Sequence, residues 1–215
     1  LLHCAEATPV LHHIVTAYER GTPLVAIGGS AAAMGRRMIT DGDSVAALRY
    51  GSSEDAGFSG VIVERGIGLT AFGLVDQNFV ERHRLGRLLI ACAEQRQRFG
   101  FGLCEGSAMQ LHGSERSVEA LGAQGVLIAE LDLDQVRLGP HNPDPSGIRL
   151  YLLEPGQRAS LDNLAADTAA QSAAGAALLE RTLRDLAADY RDAQTGTLFN
   201  SSSWETVIDS PYRLH

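Results

Sequence analysis

A serine set between an apolar run and a helix-forming run is the first feature with chemical potential. Leu24-Val25-Ala26-Ile27 is short and apolar, Gly28-Gly29 ends it, and Ser30 opens Ala31-Ala32-Ala33-Met34. A strand–turn–helix corner of this kind exposes a hydroxyl, and the helix start aims backbone N–H groups at a developing oxyanion. Gly28, Gly29, Ala31, Ala32 and Ala33 are the small neighbours that a crowded bend requires. The pattern is G-x-S-x-A, one residue away from the usual nucleophile elbow. Taken alone, such a corner is more often a helix N-cap with close strand packing than a nucleophile. A second group is the arginine row Arg82, Arg84 and Arg87, which follows Asp76-Gln77. By itself the row reads as a solvated helix face, although guanidinium groups also hold carboxylates bidentately.

The elements that must position these residues follow from periodicity. Apolar residues Val10, Leu11, Ile14, Val15 and Tyr18 recur at three- and four-residue spacing between Thr8 and Arg20, and Gly21 follows, predicting an amphipathic helix. Leu24–Ile27 reads as a buried strand. Residues 40–60 have loop composition and are expected to hold no core. Gly60–Val63 is a candidate strand, and Gly66-Ile67-Gly68-Leu69 approaches the run Phe72–Val75. A helix is predicted over Val80–Arg98, with Leu85, Leu88, Leu89, Ala91 and Cys92 inward and Glu81, Arg84, Arg87 and Glu94 toward polar surroundings. Phe99–Cys104, Val126–Leu131 and Ile148–Leu153 read as strands. Residues 142–147 form a loop, Asp162–Tyr190 a long Ala/Leu-rich helix, and the tail after Gln194 looks irregular.

With 215 residues and 45% hydrophobic content, the chain can bury one sizeable core, so residues 1–215 are expected to form a single domain. The net charge of −8 contains no basic block, which argues against nucleic acid as a partner. Cys4, Cys92 and Cys104 lack C-x-x-C spacing and read as buried free thiols, so neither a disulfide framework nor a metal site is expected. No cofactor is implied. No apolar run is long enough to span a bilayer, and a cytoplasmic location is the expectation.

Several stretches in fixed order resemble the cyanophycinases, serine peptidases of the S51 type. Gly28-Gly29-Ser30-Ala31-Ala32-Ala33 is similar to the family's G-T-S-A-G-A elbow, departing at Gly29 and Ala32. Asp76-Gln77-Asn78-Phe79-Val80-Glu81-Arg82-His83-Arg84-Leu85-Gly86-Arg87-Leu88 matches D-Q-H-F-x-x-R-x-R-x-G-R-L at every named position except Asn78. Phe101–Glu105 is similar to a glycine-rich strand ending in I-D-E, and Leu153–Arg158 to a strand ending in L-x-P-G-x-R. The resemblance runs from about Thr8 to Leu161.

It implies an α/β three-layer sandwich with a mainly parallel sheet, like the class I glutamine amidotransferases, but lacking the family's N-terminal strands in this chain. It also implies Ser30 as nucleophile, Glu105 as the acid and Asn78 in place of the catalytic histidine, with Gly29 and Ala31 at the oxyanion. Asp76, Gln77, Arg82, Arg84 and Arg87 would hold a peptide or dipeptide of Asp and Arg joined through the β-carboxyl. Asparagine cannot accept a proton near neutral pH. His83 and His112 are the nearest candidates to substitute, whereas His12, His13 and His141 have no evident reason to meet Ser30.

Three functions remain open: an active serine peptidase with an unconventional base, a catalytically inactive structural or regulatory subunit that completes a partner hydrolase, and an unrelated α/β binding domain. The apolar elbow strand is expected to be covered by another polypeptide in a homo- or hetero-oligomer.

Overall fold

The computed structural model describes residues 9–140, 144–169 and 171–194. Cys4, His141, the start of the loop at 142–147 and the tail after Gln194 lie outside the described residues. The chain is α/β. It opens with α1 (Pro9–Glu19), as the periodicity predicts, although no residue of this helix is fully buried. Leu24–Ile27 then forms no strand, and Val25 and Ile27 are 87% and 83% exposed. That corrects the expected buried strand: apolar composition favours a strand only where a neighbour takes its hydrogen bonds, and no described strand pairs here.

After the short helix α2 (Gly29–Ala33), β1 (Arg37–Asp41) leads to α3 (Ser44–Tyr50) and the two-residue β2 (Ser52–Ser53). The expectation of no core across 40–60 is thereby overturned. Asp43 caps α3 by accepting from the Ala46 N–H at 2.7 Å, and Ala47 and Leu48 are buried. The run of Asp, Gly and Ser around this helix hides a cap followed by one apolar turn. β3 (Val61–Arg65) pairs antiparallel with β1 and parallel with β2.

The second sheet carries the centre of the molecule. β4 (Leu74–Gln77), α4 (Leu85–Glu94) and β5 (Phe99–Leu103) form a βαβ unit with parallel strands, and β8 (Val126–Leu131) and β9 (Ile148–Leu153) continue it antiparallel in the order β4-β5-β8-β9. A third sheet, order β10-β7-β6, consists of β6 (Ser107–His112), β7 (Ser117–Gly122) and β10 (Arg158–Ser160), all antiparallel. The expected mainly parallel sheet is therefore corrected to mixed and antiparallel sheets: short connections such as Gly113–Arg116 allow only antiparallel return, and a helical crossover separates just β4 from β5. The long C-terminal helix is also shorter than expected, broken into α5 (Leu164–Asp167) and α6 (Ala173–Ala193), with Ser172 capping α6 through the Gly175 N–H.

The central sheet separates two cores. One face packs Leu74, Leu127, Ala129 and Ile148 against α3, α4 and α6; the other packs Val75, Phe101, Ile128 and Leu153 against Val118, Ala120 and Leu161, with Ala31 of α2 alongside. Strand β5, Phe-Gly-Phe-Gly, explains the asymmetry. Its phenylalanines fill the second core, and its glycines admit the helical layer: a Cβ on Gly100 would lie 2.8 Å from Cys92 Sγ, and one on Gly102 2.3 Å from the Phe79 ring.

Candidate active site

The carboxyl ends of the parallel pair β4–β5 gather most of the residues singled out from the sequence, a position where open α/β sheets commonly bind ligands. Alternation along β4 sorts its last residues. Asp76 shares a face with Leu74 and meets the helical layer, whereas Gln77 shares a face with Val75 and looks toward the side where α2 packs against β4.

Asp76 is 1% exposed, and its carboxylate is taken up internally. Arg87 donates through Nε to Oδ2 at 2.7 Å and through Nη2 to Oδ1 at 2.6 Å, and through Nη1 to the Gly42 carbonyl at 2.6 Å. Arg84 Nη1 adds bonds to Asp76 Oδ1 at 3.1 Å and the Gln77 carbonyl at 2.6 Å. Burial lowers the Arg84 guanidinium from its ordinary value, with Asp76 opposing that shift. Asp76, Arg84 and Arg87, expected to hold a ligand, meet one another in an ion network that ties β4 to the start of α4. Arg87 finds its polar partners inside the fold: a buried carboxylate demands a complete set of donors, and the nearest helix turn supplies them. Arg82 is exposed and Gln77 half-buried, with Gln77 Oε1 buried and taking no hydrogen bond.

Asn78 follows β4 directly at φ +48. The next N–H, of Phe79, donates to the Leu103 carbonyl at 3.0 Å, and the Arg84 N–H returns to the Phe79 carbonyl at 3.0 Å, so the corner is tied to the end of β5. The helix begins only at Leu85, later than the predicted Val80, because this bend must be completed first. Asn is among the few residues that adopt left-handed backbone readily, and histidine shares that tolerance.

Ser30 lies in the first turn of α2, preceded by Gly28 at φ +60. Its Oγ donates to the Ile27 carbonyl at 2.8 Å and accepts from the Ile27 N–H at 2.9 Å. Neither bond runs to Asn78 or Glu105. The bend is open rather than crowded, since a Cβ on Gly28 or Gly29 would meet nothing within 4 Å; Gly28 is needed for its backbone angle, and the buried small residues are Ala32 and Ala33. The Ala31 N–H, expected at an oxyanion, already donates to the Gly28 carbonyl at 2.9 Å, closing the helical turn. Gly29 is exposed.

Glu105 stands just beyond β5 with its side chain exposed. Its N–H donates to Glu81 Oε1 at 3.2 Å, and Gln124 Nε2 donates to both Glu81 Oε1 at 3.0 Å and the Glu105 carbonyl at 3.4 Å. Glu81 and Gln124 were not singled out from the sequence. The available signal was the place of Glu81 three residues after Asn78, inside the longest matched block. Both candidate histidines lie against carboxylates, and Ser30 Oγ bonds to neither: His83 meets Asp185 of α6 at 3.6 Å in the helical layer, and His112 meets Glu119 across β6 and β7 at 3.5 Å.

Among the described residues, no group of three or more His, Cys, Asp or Glu is arranged to hold a metal ion, and no helix is long and apolar enough to cross a membrane. Cys92 and Cys104 are buried free thiols; burial pushes Cys104 up to about 11, with the nearby Glu81 adding to the shift.

No family model matches the chain. Over 158 residues, 70% of the chain, it is 32% identical to the cyanophycinases of Trichormus variabilis and Nostoc sp.. Over 126 residues, 57% of the chain, it is 31% identical to the cyanophycinase of Geminocystis herdmanii. The chain is related to the cyanophycinases. The matches cover 50% of the first two relatives and 42% of the third, so the chain spans about half the length of the curated relatives it matches. Against the cyanophycinase pattern D-Q-H-F, the left-handed corner after β4 holds Asn78 where that pattern has histidine.

Proposed function

We propose that the chain is a cyanophycinase-like serine peptidase homologue that binds peptides of the β-aspartyl-arginine type at the carboxyl ends of β4 and β5, with hydrolysis crippled at proton transfer. The observation that carries this reading is Asn78 at a left-handed corner that histidine also tolerates, beside the strand on which the Ser30 helix packs. In the proposed chemistry a base at position 78 takes the proton as Ser30 Oγ leaves Ile27 and bonds to the scissile carbonyl carbon, whose π pair moves onto the oxygen; the same proton then passes to the departing amine as the C–N bond breaks, and water hydrolyses the acyl-serine. Glu105 is the acid of the triad, and the Gly29 N–H is the remaining oxyanion donor of the expected pair. Gln77, with its unpaired Oε1, and the exposed Arg82 contact the ligand. Asn78 offers an amide oxygen of negligible basicity, so the proton has no acceptor of the required strength.

The test is Asn78→His. Restoring a general base contributes about 10²–10⁴-fold in rate. The variant is expected to release β-aspartyl-arginine and to take a fluorophosphonate label on Ser30, lost in Ser30→Ala. If neither the natural protein nor the variant binds the dipeptide in calorimetry, and neither is labelled, the proposal fails.

A second reading, that the chain is a structural or regulatory subunit completing a partner hydrolase, is favoured by the apolar segment before the elbow. Leu24, Val25 and Ile27 are 38%, 87% and 83% exposed, an arrangement that association would relieve. Sedimentation of the purified chain distinguishes the two: concentration-dependent association abolished by Val25→Asp with Ile27→Asp supports a covered elbow, and a stable monomer at all concentrations opposes it.

A further inference from the structure

Glu105 is held from both sides by residues of two other turns. Glu81, in the turn between β4 and α4, accepts the Glu105 N–H at 3.2 Å. Gln124, in the turn between β7 and β8, donates through Nε2 to the Glu105 carbonyl at 3.4 Å and to the same Glu81 oxygen at 3.0 Å. The anchor of Gln124 is itself built in. Its backbone N–H and that of Gly125 both donate to Ser107 Oγ at 3.0 Å, and the Ala123 N–H donates to the Gly106 carbonyl at 3.0 Å. Gly122 and Gly125, at φ +98 and +101, give this turn a backbone that other residues rarely adopt. The Ser107 N–H closes the segment onto the Cys104 carbonyl at 3.1 Å. Among the described residues the Glu105 carboxylate takes no hydrogen bond, so what Glu81 and Gln124 hold is the backbone from which that side chain leaves β5.

We infer that Glu81 and Gln124 are positioning residues that clamp the Glu105 backbone and thereby fix the point at the carboxyl end of β5 from which its side chain reaches the site. The inference rests on the proposed role of Glu105 in the triad. The working group is Oε1 of Glu81, since Oε2 is buried and takes no hydrogen bond. Glutamine at 81 retains an acceptor in the same place, whereas alanine removes it. The conservative and the disruptive variants therefore separate the clamp from the charge.

The decisive measurement is amide hydrogen exchange at Glu105 in the full chain. Loss of one hydrogen bond of ordinary net strength corresponds to about 5–10-fold in an opening equilibrium. Glu81→Ala is expected to speed exchange at Glu105 by that factor, Gln124→Ala to speed it less, and Glu81→Gln to leave it near the natural value. Exchange unchanged in Glu81→Ala, or lost equally in Glu81→Gln, overturns the clamp whatever the activity. In the Asn78→His background, Glu81→Ala is expected to lower kcat with KM unchanged, and Glu81→Gln to keep kcat near that of Asn78→His alone; an equal kcat in all three proteins overturns the positioning role. Absence of hydrolysis in Asn78→His alongside Glu81-dependent exchange counts against the peptidase reading and supports the clamp.

Discussion

At the residue scale, the Asp76–Arg87 pair illustrates how one motif serves two ends. The sequence pairs Asp76 with Gln77 in one matched block, and alternation along β4 sends them to opposite faces. Asp76 accepts two hydrogen bonds from Arg87 and one from Arg84 away from solvent, and Gln77 is left toward the elbow. Removing one partner of a buried pair leaves the other charged and uncompensated. Asp76→Ala is accordingly expected to lower unfolding stability by about 3–5 kcal/mol in urea titrations. Arg87→Lys is expected to recover little, because an ammonium cannot reproduce the two-pronged contact with the carboxylate and the third bond to Gly42. If Asp76 bound ligand instead, Asp76→Ala would weaken peptide binding and leave the urea midpoint unchanged.

At the element scale, β5 is held to its helix by what its glycines lack. Gly102 meets the Phe79 ring, and Phe79 follows Asn78 at the corner. Adding a methyl group to a filled site costs about 1–3 kcal/mol. Gly102→Ala is expected to destabilise the fold by that amount and to displace the Asn78 corner, seen as amide chemical-shift changes at 78–80. A smaller ring partner should relieve it, so Gly102→Ala with Phe79→Leu is expected to perturb these amides less than Gly102→Ala alone. The strand was legible from Phe99–Cys104 as an apolar run, but which face its glycines serve was not, because a period of two is blind to what packs opposite. Helix α3 was illegible for a different reason: its cap and its single apolar turn are shorter than the window in which periodicity becomes visible.

At the scale of the whole molecule, α6 brings acidic groups against the layer that carries α3 and α4. Burial pushes Asp189 up from an ordinary 3.8 to about 6; His83 opposes the shift, and Asp185, Asp192 and Asp43 add to it. The folded state therefore holds this proton more tightly than the unfolded chain, and the contribution to stability is complete below about pH 4 and lost as pH rises through about 6. Asp189→Asn is expected to flatten that part of the stability profile and to raise the melting temperature at pH 7 relative to the natural protein. A melting profile between pH 4 and 7 unchanged by the substitution would exclude Asp189 as its source.

By its residues and the resemblance they carry, the sequence determined that the chain is α/β, that α1, the middle of α4 and most strands of the central sheet fall where periodicity puts them, and that a matched block surrounds residue 78. These are local properties, set by residue type and spacing over a few turns. Only the tertiary structure decided that Asp76 and Arg87 are spent on each other, that His83 and His112 find other carboxylates, that Leu24–Ile27 stays exposed without a pairing strand, and that Glu81 and Gln124 grip Glu105. Each depends on which face meets which neighbour across large separations in sequence, and a hydrogen bond between residues 81 and 105 or 105 and 124 leaves no periodic trace in either segment.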